Sequence, residues 1–309
     1  MRKLALIDLG TNTFHLLIVE VDEQGNQQIL VREKIPVKLG EGGISTGNIN
    51  DAAWQRGMNT LSDFKQKMEH YRVEDARAMA TSAMRNAANG AAFVQEVQER
   101  LGIIIEVIDG AREAELIYKG VRSALQITER SVIMDIGGGS VEFIICDGEQ
   151  IFWKQSFELG AQRLMDKFFH HDPILPEEVA TEKAYLSEQL QPLTQAIQQY
   201  QPKVLIGSSG TFDTLCDIDW WKRGLDRMQE NTSPEDKISI EHFYTIFHEI
   251  LSKTHDERLA IKGMLEMRVD MIVVAVVVVD FVLQQYQLEQ IRVSAYALKE
   301  GMLAELLNS

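Results

Sequence analysis

Residues 6–18 of the chain read LIDLGTNTFHLLI, and residues 133–145 read IMDIGGGSVEFII. Both stretches contain a short apolar run, an aspartate, an apolar residue and a glycine, followed by a polar turn that ends on a hydroxyl residue and by a second apolar run. This pattern is typical of two strands joined by a turn. Because the same unit occurs twice, half a chain apart, the sequence predicts two lobes of related architecture that face each other.

The segments around these repeats alternate between strand-like and helix-like patterns, which predicts an α/β fold. Strand-like runs occupy residues 29–37, 76–80, 103–108 and 203–206. We expect a first lobe over residues 1–124, a second lobe over residues 125–296, and a final helix within residues 297–309 that packs back on the first lobe. Residues 271–283 stay open between a strand, which their valines favour, and a buried helix, which the absence of turn residues allows.

The composition is that of an ordinary globular protein and excludes several classes of function. The chain has 309 residues, of which 45% are hydrophobic and 25% are charged, unlike disordered or fibrous chains. Its formal net charge of −15 repels nucleic acid, and no basic stripe offsets that charge, so we expect no DNA or RNA partner. Any anionic ligand must therefore be held by a few local groups.

Neither a membrane segment nor a disulfide framework is expected. The longest apolar run, residues 271–279, is much shorter than the roughly 20 residues that a membrane-spanning helix needs. The two cysteines, Cys146 and Cys216, cannot form a disulfide-rich scaffold or a CxxC motif. This cysteine usage fits a reducing compartment, so we expect a cytoplasmic protein.

Glycine-rich turns that follow apolar runs are the first candidate binding elements. There are three of them: Gly10-Thr11-Asn12-Thr13, Gly137-Gly138-Gly139-Ser140 and Gly207-Ser208-Ser209-Gly210-Thr211. Such turns can direct successive backbone N–H groups at one point and so bind phosphate oxygens. One turn alone is as easily structural, but three together predict a phosphate chain held between the lobes. None has Walker A or dinucleotide-binding spacing, which disfavours P-loop and Rossmann folds.

Four charged residues near these turns are candidates for the chemistry. Asp135 and Glu142 bracket the second turn, and Mg²⁺ usually takes one or two protein carboxylates together with phosphate and water. Arg85 follows a strand-like run, where a guanidinium could clamp a phosphate, although taken alone it fits a surface arginine better. Glu113 follows Gly110, and by itself it fits best as a favourable anion in the first turn of a helix.

Taken in chain order, these motifs resemble the exopolyphosphatase and guanosine pentaphosphate phosphohydrolase family (Ppx/GppA), within the sugar kinase, Hsp70 and actin superfamily. The resemblance covers nearly the whole chain. It rests on IDLGTNTFH (7–15), ATSAMR (80–85), Gly110 with Glu113-Ala114, DIGGGS (135–140) with Glu142, GSSGT (207–211), RVD (268–270) and LKEG (298–301). It implies two RNase H-like lobes with an active-site cleft between them. The end at Ser309 implies the short, two-domain form of the family.

The resemblance also implies a role for each candidate residue. Glu113 matches the base that deprotonates the attacking water, and Arg85 matches the arginine that grips phosphate. Glu142 matches the metal-associated glutamate, with Asp135 and Asp8 as neighbouring carboxylates for Mg²⁺. The three turns match the phosphate-binding loops.

The activity implied is Mg²⁺-dependent hydrolysis of the terminal phosphate of inorganic polyphosphate or of guanosine pentaphosphate. The residues do not separate these two substrates. A superfamily kinase or ATPase and a non-catalytic sensor of guanosine tetraphosphate or pentaphosphate are the alternatives, and a homodimer is allowed. The chain departs from the family pattern at Ala275, where glycine is expected, and at Lys299, where arginine is usual.

Overall fold

The computed structural model describes residues 1–44, 47–225 and 233–307. The chain divides into two compact units, one formed by Met1–Lys119 with Leu298–Ser309 and the other by Gly120–Ala297. The boundaries between the units thus lie at 119/120 and 297/298. The boundaries predicted from the sequence were 124/125 and 296/297. The last two positions of the expected final helix, 308 and 309, lie outside the described residues.

The N-terminal unit is built on a five-stranded mixed sheet. Its strands are β1 (Arg2–Leu9), β2 (Phe14–Val21), β3 (Gln27–Ile35), β4 (Asp75–Ala80) and β5 (Ile105–Val107), in the order β3-β2-β1-β4-β5. The first three strands pair antiparallel, whereas β4 runs parallel to β1 and β5 parallel to β4. This is the strand order of the RNase H-like fold, and the first glycine turn joins its β1 and β2.

Helices complete this unit, and the first three of them contribute to the apolar core of its sheet. They are α1 (Asp51–Tyr71), α2 (Ser82–Asn86), α3 (Gly90–Leu101), α4 (Gly110–Ala124), which crosses the unit boundary, and the C-terminal helix, here α12 (Leu298–Leu307). Helix α1 begins after Asn50, whose side chain accepts a hydrogen bond from the N–H of Ala53, as expected for an N-cap. Leu61 and Phe64 then lie fully buried on its inner face. In α12, Glu305 accepts hydrogen bonds from both Arg112 and Lys119.

The C-terminal unit repeats the same topology and adds one strand. Its strands are β6 (Ser131–Ile136), β7 (Val141–Cys146), β8 (Ile151–Phe157), β9 (Val204–Ser208), β10 (Glu235–Ile238) and β11 (Gln290–Ser294), in the order β10-β11-β9-β6-β7-β8. Strands β6, β7 and β8 pair antiparallel, β9 runs parallel to β6, and β11 runs parallel to β9. The prediction of two related RNase H-like lobes is therefore confirmed for the topology of each unit.

The helices of this unit settle the segment that the sequence left open. They are α5 (Ala161–Phe168), α6 (Pro176–Gln189), α7 (Gln191–Tyr200), α8 (Ser209–Lys222), α9 (Ile240–Ser252), α10 (His255–Leu259) and α11 (Met271–Tyr286), with a 3₁₀ turn at Glu266–Arg268. Residues 271–283 form a helix, and each of them is buried, Ala275 included. Burial on all sides overrides the strand propensity of valine. Among the described residues, no helix is both long enough and apolar enough to cross a membrane.

Candidate active site

The first glycine turn is closed by its own backbone and backed by the segment that follows β3. The N–H of Gly10 donates to the carbonyl of Thr13 at 3.1 Å. The carbonyls of Thr11 and Asn12 accept hydrogen bonds from the N–H groups of Gly40 (3.0 Å) and Lys38 (2.8 Å). Since the carbonyl groups of the turn are used in this way, it is fixed without any contribution from a ligand.

The second glycine turn has the same geometry. The N–H of Gly137 donates to the carbonyl of Ser140 at 3.0 Å, which repeats the bond that closes the first turn. The carbonyls of Gly137, Gly138 and Gly139 accept hydrogen bonds from the backbone of residues 160–162, at the start of α5. The similarity that the sequence predicts therefore extends to individual hydrogen bonds.

The third turn meets Asp135 at the carboxyl ends of two neighbouring parallel strands. Asp135 is the partner of Ser208 in the register of β6 and β9. The hydroxyl groups of Ser208 and Ser209 each donate to Oδ2 of Asp135 at 2.7 Å. Helix α8 starts at Ser209, so its N-terminus, which favours anions, lies beside this carboxylate.

Asp135 and Glu142 form a pair of buried acids across the β6–β7 ladder. They are direct partners in the antiparallel register, which places their side chains on the same face with Cβ atoms about 5 Å apart. Glu142 also accepts a hydrogen bond from the Ser156 hydroxyl at 2.6 Å. Two carboxylates opposite each other destabilise a sheet unless positive charge is nearby.

Arg268 supplies positive charge beside Asp135. The sequence indicated no role for it beyond its place in the motif RVD (268–270). Arg268 is buried, and a Cβ atom on Gly210 would lie 2.5 Å from its Cζ, so the guanidinium packs directly on the third turn. Burial lowers the pKa of Arg268, while the attraction of Asp213 and Asp135 opposes that shift. Among the described residues its Nε–H has no hydrogen-bond acceptor, which favours an anionic ligand there.

In the N-terminal unit, Arg85 and Glu113 contact each other, although neither residue taken alone indicated a function in the sequence. Nη1 of Arg85, in α2, donates to Oε2 of Glu113 at 3.1 Å and to the carbonyl of Ile108 at 2.9 Å. Glu113 is buried in the first turn of α4. A buried carboxylate beside a guanidinium is an arrangement suited to a base that acts next to a bound phosphate.

The comparison with known families decides the identity of the chain. Residues 17–309 match the model of the Ppx/GppA phosphatase family. The chain belongs to this family. By that membership it is a phosphatase, and thus a hydrolase.

Similar proteins agree with the Ppx/GppA assignment. A Haemophilus influenzae protein named "Putative exopolyphosphatase" is 29% identical over 306 residues, which is 99% of this chain and 92% of that protein. The crystal structure of an exopolyphosphatase from Cytophaga hutchinsonii is 41% identical, covers 99% of this chain and 98% of its own, and superposes with a TM-score of 0.95. The PPX-GPPA enzyme of Aquifex aeolicus shares the fold at 23% identity, with a TM-score of 0.81 over 98% of this chain and 99% of its own.

The metal site expected for a Ppx/GppA phosphatase stays a prediction. Within the part of the chain that the structure describes, no group of three or more His, Cys, Asp and Glu residues is arranged to hold a metal ion. Asp135 and Glu142 nevertheless provide two carboxylates on one face, a donor set that fits Mg²⁺. Asp8 lies on β1 of the N-terminal unit, and its role as a third carboxylate also stays a prediction.

Of the two departures from the family pattern, Ala275 lies in the buried helix α11, and Lys299 pairs with Glu300 at 3.1 Å.

Proposed function

We propose that this phosphatase is an exopolyphosphatase that hydrolyses the terminal phosphoanhydride bond of inorganic polyphosphate. The observation that carries the proposal is the contact between Arg85 and Glu113, which keeps a carboxylate base beside a guanidinium able to grip a phosphate. The names of two relatives, from Haemophilus influenzae and Cytophaga hutchinsonii, support the substrate class.

The proposed reaction is a displacement by water at the terminal phosphorus. Glu113 accepts a proton from the water, whose oxygen forms a new bond to phosphorus. The bond from that phosphorus to the bridging oxygen breaks, and the shortened chain leaves with the electron pair. Arg85 binds an oxygen of the terminal phosphate, so its guanidinium offsets negative charge in the transition state.

Further phosphate oxygens would be bound by the glycine turns of each unit and, in the C-terminal unit, by Arg268. Backbone N–H groups of the turns bind phosphate oxygens without adding net charge. The buried guanidinium of Arg268 adds a positive charge against the third turn. A chain with a net charge of −15 can bind a polyanion in this way, because the Arg268 cation and the backbone dipoles of the third turn lie together.

Asp135 and Glu142, both in the C-terminal unit, would hold Mg²⁺. The ion would supply Lewis-acid stabilisation of phosphate oxygens. The hydroxyl groups of Ser208 and Ser209 fix the position of the Asp135 carboxylate, and Ser156 does the same for Glu142. These hydrogen bonds limit the reorganisation that would be needed when the ion binds.

Guanosine pentaphosphate is the second candidate substrate. The motifs resemble a family that includes guanosine pentaphosphate phosphohydrolases, and removal of the 5′-terminal phosphate is the same chemistry. Polyphosphate is placed first because the two relatives at 41% and 29% identity carry exopolyphosphatase names.

The test is phosphate release from long-chain polyphosphate, tripolyphosphate, guanosine pentaphosphate and ATP, each with Mg²⁺ and again after EDTA. Glu113→Gln should lower turnover by about 10²- to 10⁴-fold, because it removes the base, while binding of tripolyphosphate stays nearly intact. The matched control is Glu115→Gln on the same helix, a partly exposed residue 3.7 Å from Arg112, which should keep wild-type turnover.

Each contrary outcome identifies an alternative. Release that continues at the wild-type rate in Glu113→Gln would remove the proposed base. Transfer from ATP to an acceptor, without polyphosphate hydrolysis, would indicate a kinase. Binding of guanosine pentaphosphate without release from any substrate would indicate a sensor.

A further inference from the structure

The repeat between the two units includes a second short motif that lies behind each glycine turn. Residues 38–40 read Lys-Leu-Gly and residues 158–160 read Glu-Leu-Gly, in each case just after the third strand of the unit. In the N-terminal unit, this segment donates to the carbonyls of Thr11 and Asn12. In the C-terminal unit, the N–H groups of residues 160, 161 and 162 donate to the carbonyls of residues 139 (3.2 Å), 137 (2.9 Å) and 138 (2.9 Å). We call each segment the brace of its turn.

Both braces need glycine where they touch the turn. A Cβ atom on Gly40 would lie 2.5 Å from Cγ2 of Thr11. A Cβ atom on Gly160 would overlap the backbone of Gly138 and Gly139. At Gly160 the two backbones therefore approach more closely than a side chain allows, and at Gly40 the methyl group of Thr11 fills the space that a Cβ atom would need.

The braces determine where the amide groups of the turns point. A trans peptide is planar, with its C=O and N–H on opposite edges. Holding the carbonyls of residues 137, 138 and 139 against the start of α5 therefore directs the N–H groups of Gly138, Gly139 and Ser140 to the other side. In the N-terminal unit, the same geometry directs the N–H groups of Asn12 and Thr13 away from their brace.

An arginine from a neighbouring helix holds each brace region. Nε of Arg163, in α5, donates to the carbonyl of Gly139 at 2.9 Å, and its Nη2 donates to Glu158 at 3.1 Å. Nε of Arg56, in α1, donates to the carbonyl of Val37 at 2.7 Å. The carbonyl of Gly139 thus has two donors, Arg163 and the N–H of Gly160. In the C-terminal unit the arginine bonds the turn itself, at Gly139, whereas Arg56 bonds the backbone of the brace region.

We propose that Arg163 is a positioning residue of the phosphatase, which fixes the peptide plane between Gly139 and Ser140 so that its N–H is directed at a bound phosphate. The proposal rests on the function proposed above. Arg163 bonds a turn carbonyl and a carboxylate, so it acts on the phosphate through the turn. Without Arg163, Gly139 keeps its bond from Gly160, and the turn remains folded with a less strongly held peptide.

The test compares Arg163→Met, Arg163→Lys and the control Arg130→Met. Arg130 also donates to a backbone carbonyl, that of Tyr200, but it precedes β6, whereas the turn follows that strand. We expect Arg163→Met to raise KM for tripolyphosphate about tenfold with kcat within about threefold, because a less firmly held Ser140 N–H binds phosphate more weakly in the ground state and the transition state alike. Arg163→Lys, which retains one donor, should recover most of the affinity, and Arg130→Met should keep the wild-type KM.

If Arg163 only stabilises the fold, these measurements give a different result. Arg163→Met would then lower Tm, while its KM would equal that of Arg130→Met. That outcome would overturn the proposal.

A second measurement is independent of turnover. Tripolyphosphate should slow hydrogen exchange at the N–H groups of Gly138, Gly139 and Ser140 in the wild-type protein, and this protection should weaken at the same ligand concentration in Arg163→Met. Protection without any phosphate release would refute the proposed function and leave the positioning role intact. Wild-type KM and wild-type protection in Arg163→Met would refute the positioning role and leave the function intact.

Discussion

Arg85 donates a hydrogen bond from Nη1 to Oε2 of Glu113 at 3.1 Å, across 28 positions of sequence. The two residues reach each other because α2 follows β4 and α4 follows β5, and these strands are parallel neighbours. The carboxyl ends of adjacent parallel strands lie at one edge of a sheet, the usual place for a ligand site in an α/β fold.

Replacing Arg85 by methionine should lower kcat/KM for polyphosphate at least tenfold, because a charged hydrogen bond to phosphate is lost. Steady-state phosphate release measures this effect. The control is Arg77→Met, an exposed arginine on β4, which should behave as wild type. Equal kcat/KM in the two variants would show that Arg85 serves the fold alone.

Glu142→Gln should raise the Mg²⁺ concentration that gives half-maximal activity by about tenfold or more, since it removes one of two paired carboxylates. A titration of activity with MgCl₂ measures the shift. Glu149→Gln, in the exposed turn after β7, is the control and should leave the titration unchanged. An unchanged titration in Glu142→Gln would place the metal elsewhere.

The sequence predicted the parts of the fold that depend on local pattern. The repeat over residues 6–18 and 133–145 corresponds to β1-turn-β2 and β6-turn-β7, since two apolar runs separated by a glycine turn are a local pattern. The stretch from Pro176 to Tyr200 contains a second proline, Pro192. This stretch forms two helices that meet at Leu190, with Pro192 in the first turn of the second helix, where proline is tolerated.

Features that depend on tertiary contacts were missed or left open. The match between residues 38–40 and 158–160 is only two identical residues long, Leu-Gly, which is too short to detect before the hydrogen bonds are known. The importance of Arg268 comes from its burial against Gly210, and burial of an arginine has no local signal. Residues 271–283 form a helix because packing outweighs the propensity of valine.

The stability of the C-terminal unit should depend on the protonation of His255. Its Nδ1 lies 2.7 Å from Oδ1 of Asp270, and this hydrogen bond raises the pKa of His255 above 6.5. A histidine whose pKa is higher in the folded than in the unfolded protein stabilises the fold fully at a pH below its unfolded-state pKa. This contribution is lost as the pH rises through its folded-state pKa. The difference in free energy of unfolding between wild type and His255→Gln should therefore be largest below about pH 6 and should shrink towards alkaline pH. Urea unfolding of both proteins at a series of pH values measures this difference. A difference that does not change with pH would contradict the raised pKa of His255.

A buried acid in α6 should weaken the fold at neutral and alkaline pH. Glu182 has no exposed surface, and neither of its carboxyl oxygens has a hydrogen-bond partner among the described residues. Burial raises the pKa of Glu182 well above 4.5, and the positive charge of Lys183 opposes this shift in part. The unfolded chain then loses the proton at a lower pH than the folded chain, so the free energy of unfolding falls as the pH rises above 4.5.

Glu182→Met should therefore be more stable than wild type at about pH 8, by about 1 kcal/mol or more, with a smaller gain at about pH 4.5. Urea unfolding at both pH values measures the two gains. Glu188→Met, an exposed position on the same helix, is the control and should change stability by less than about 0.5 kcal/mol. A methionine variant that is less stable than wild type at alkaline pH would mean that Lys183 stabilises the ionised carboxylate more than burial destabilises it.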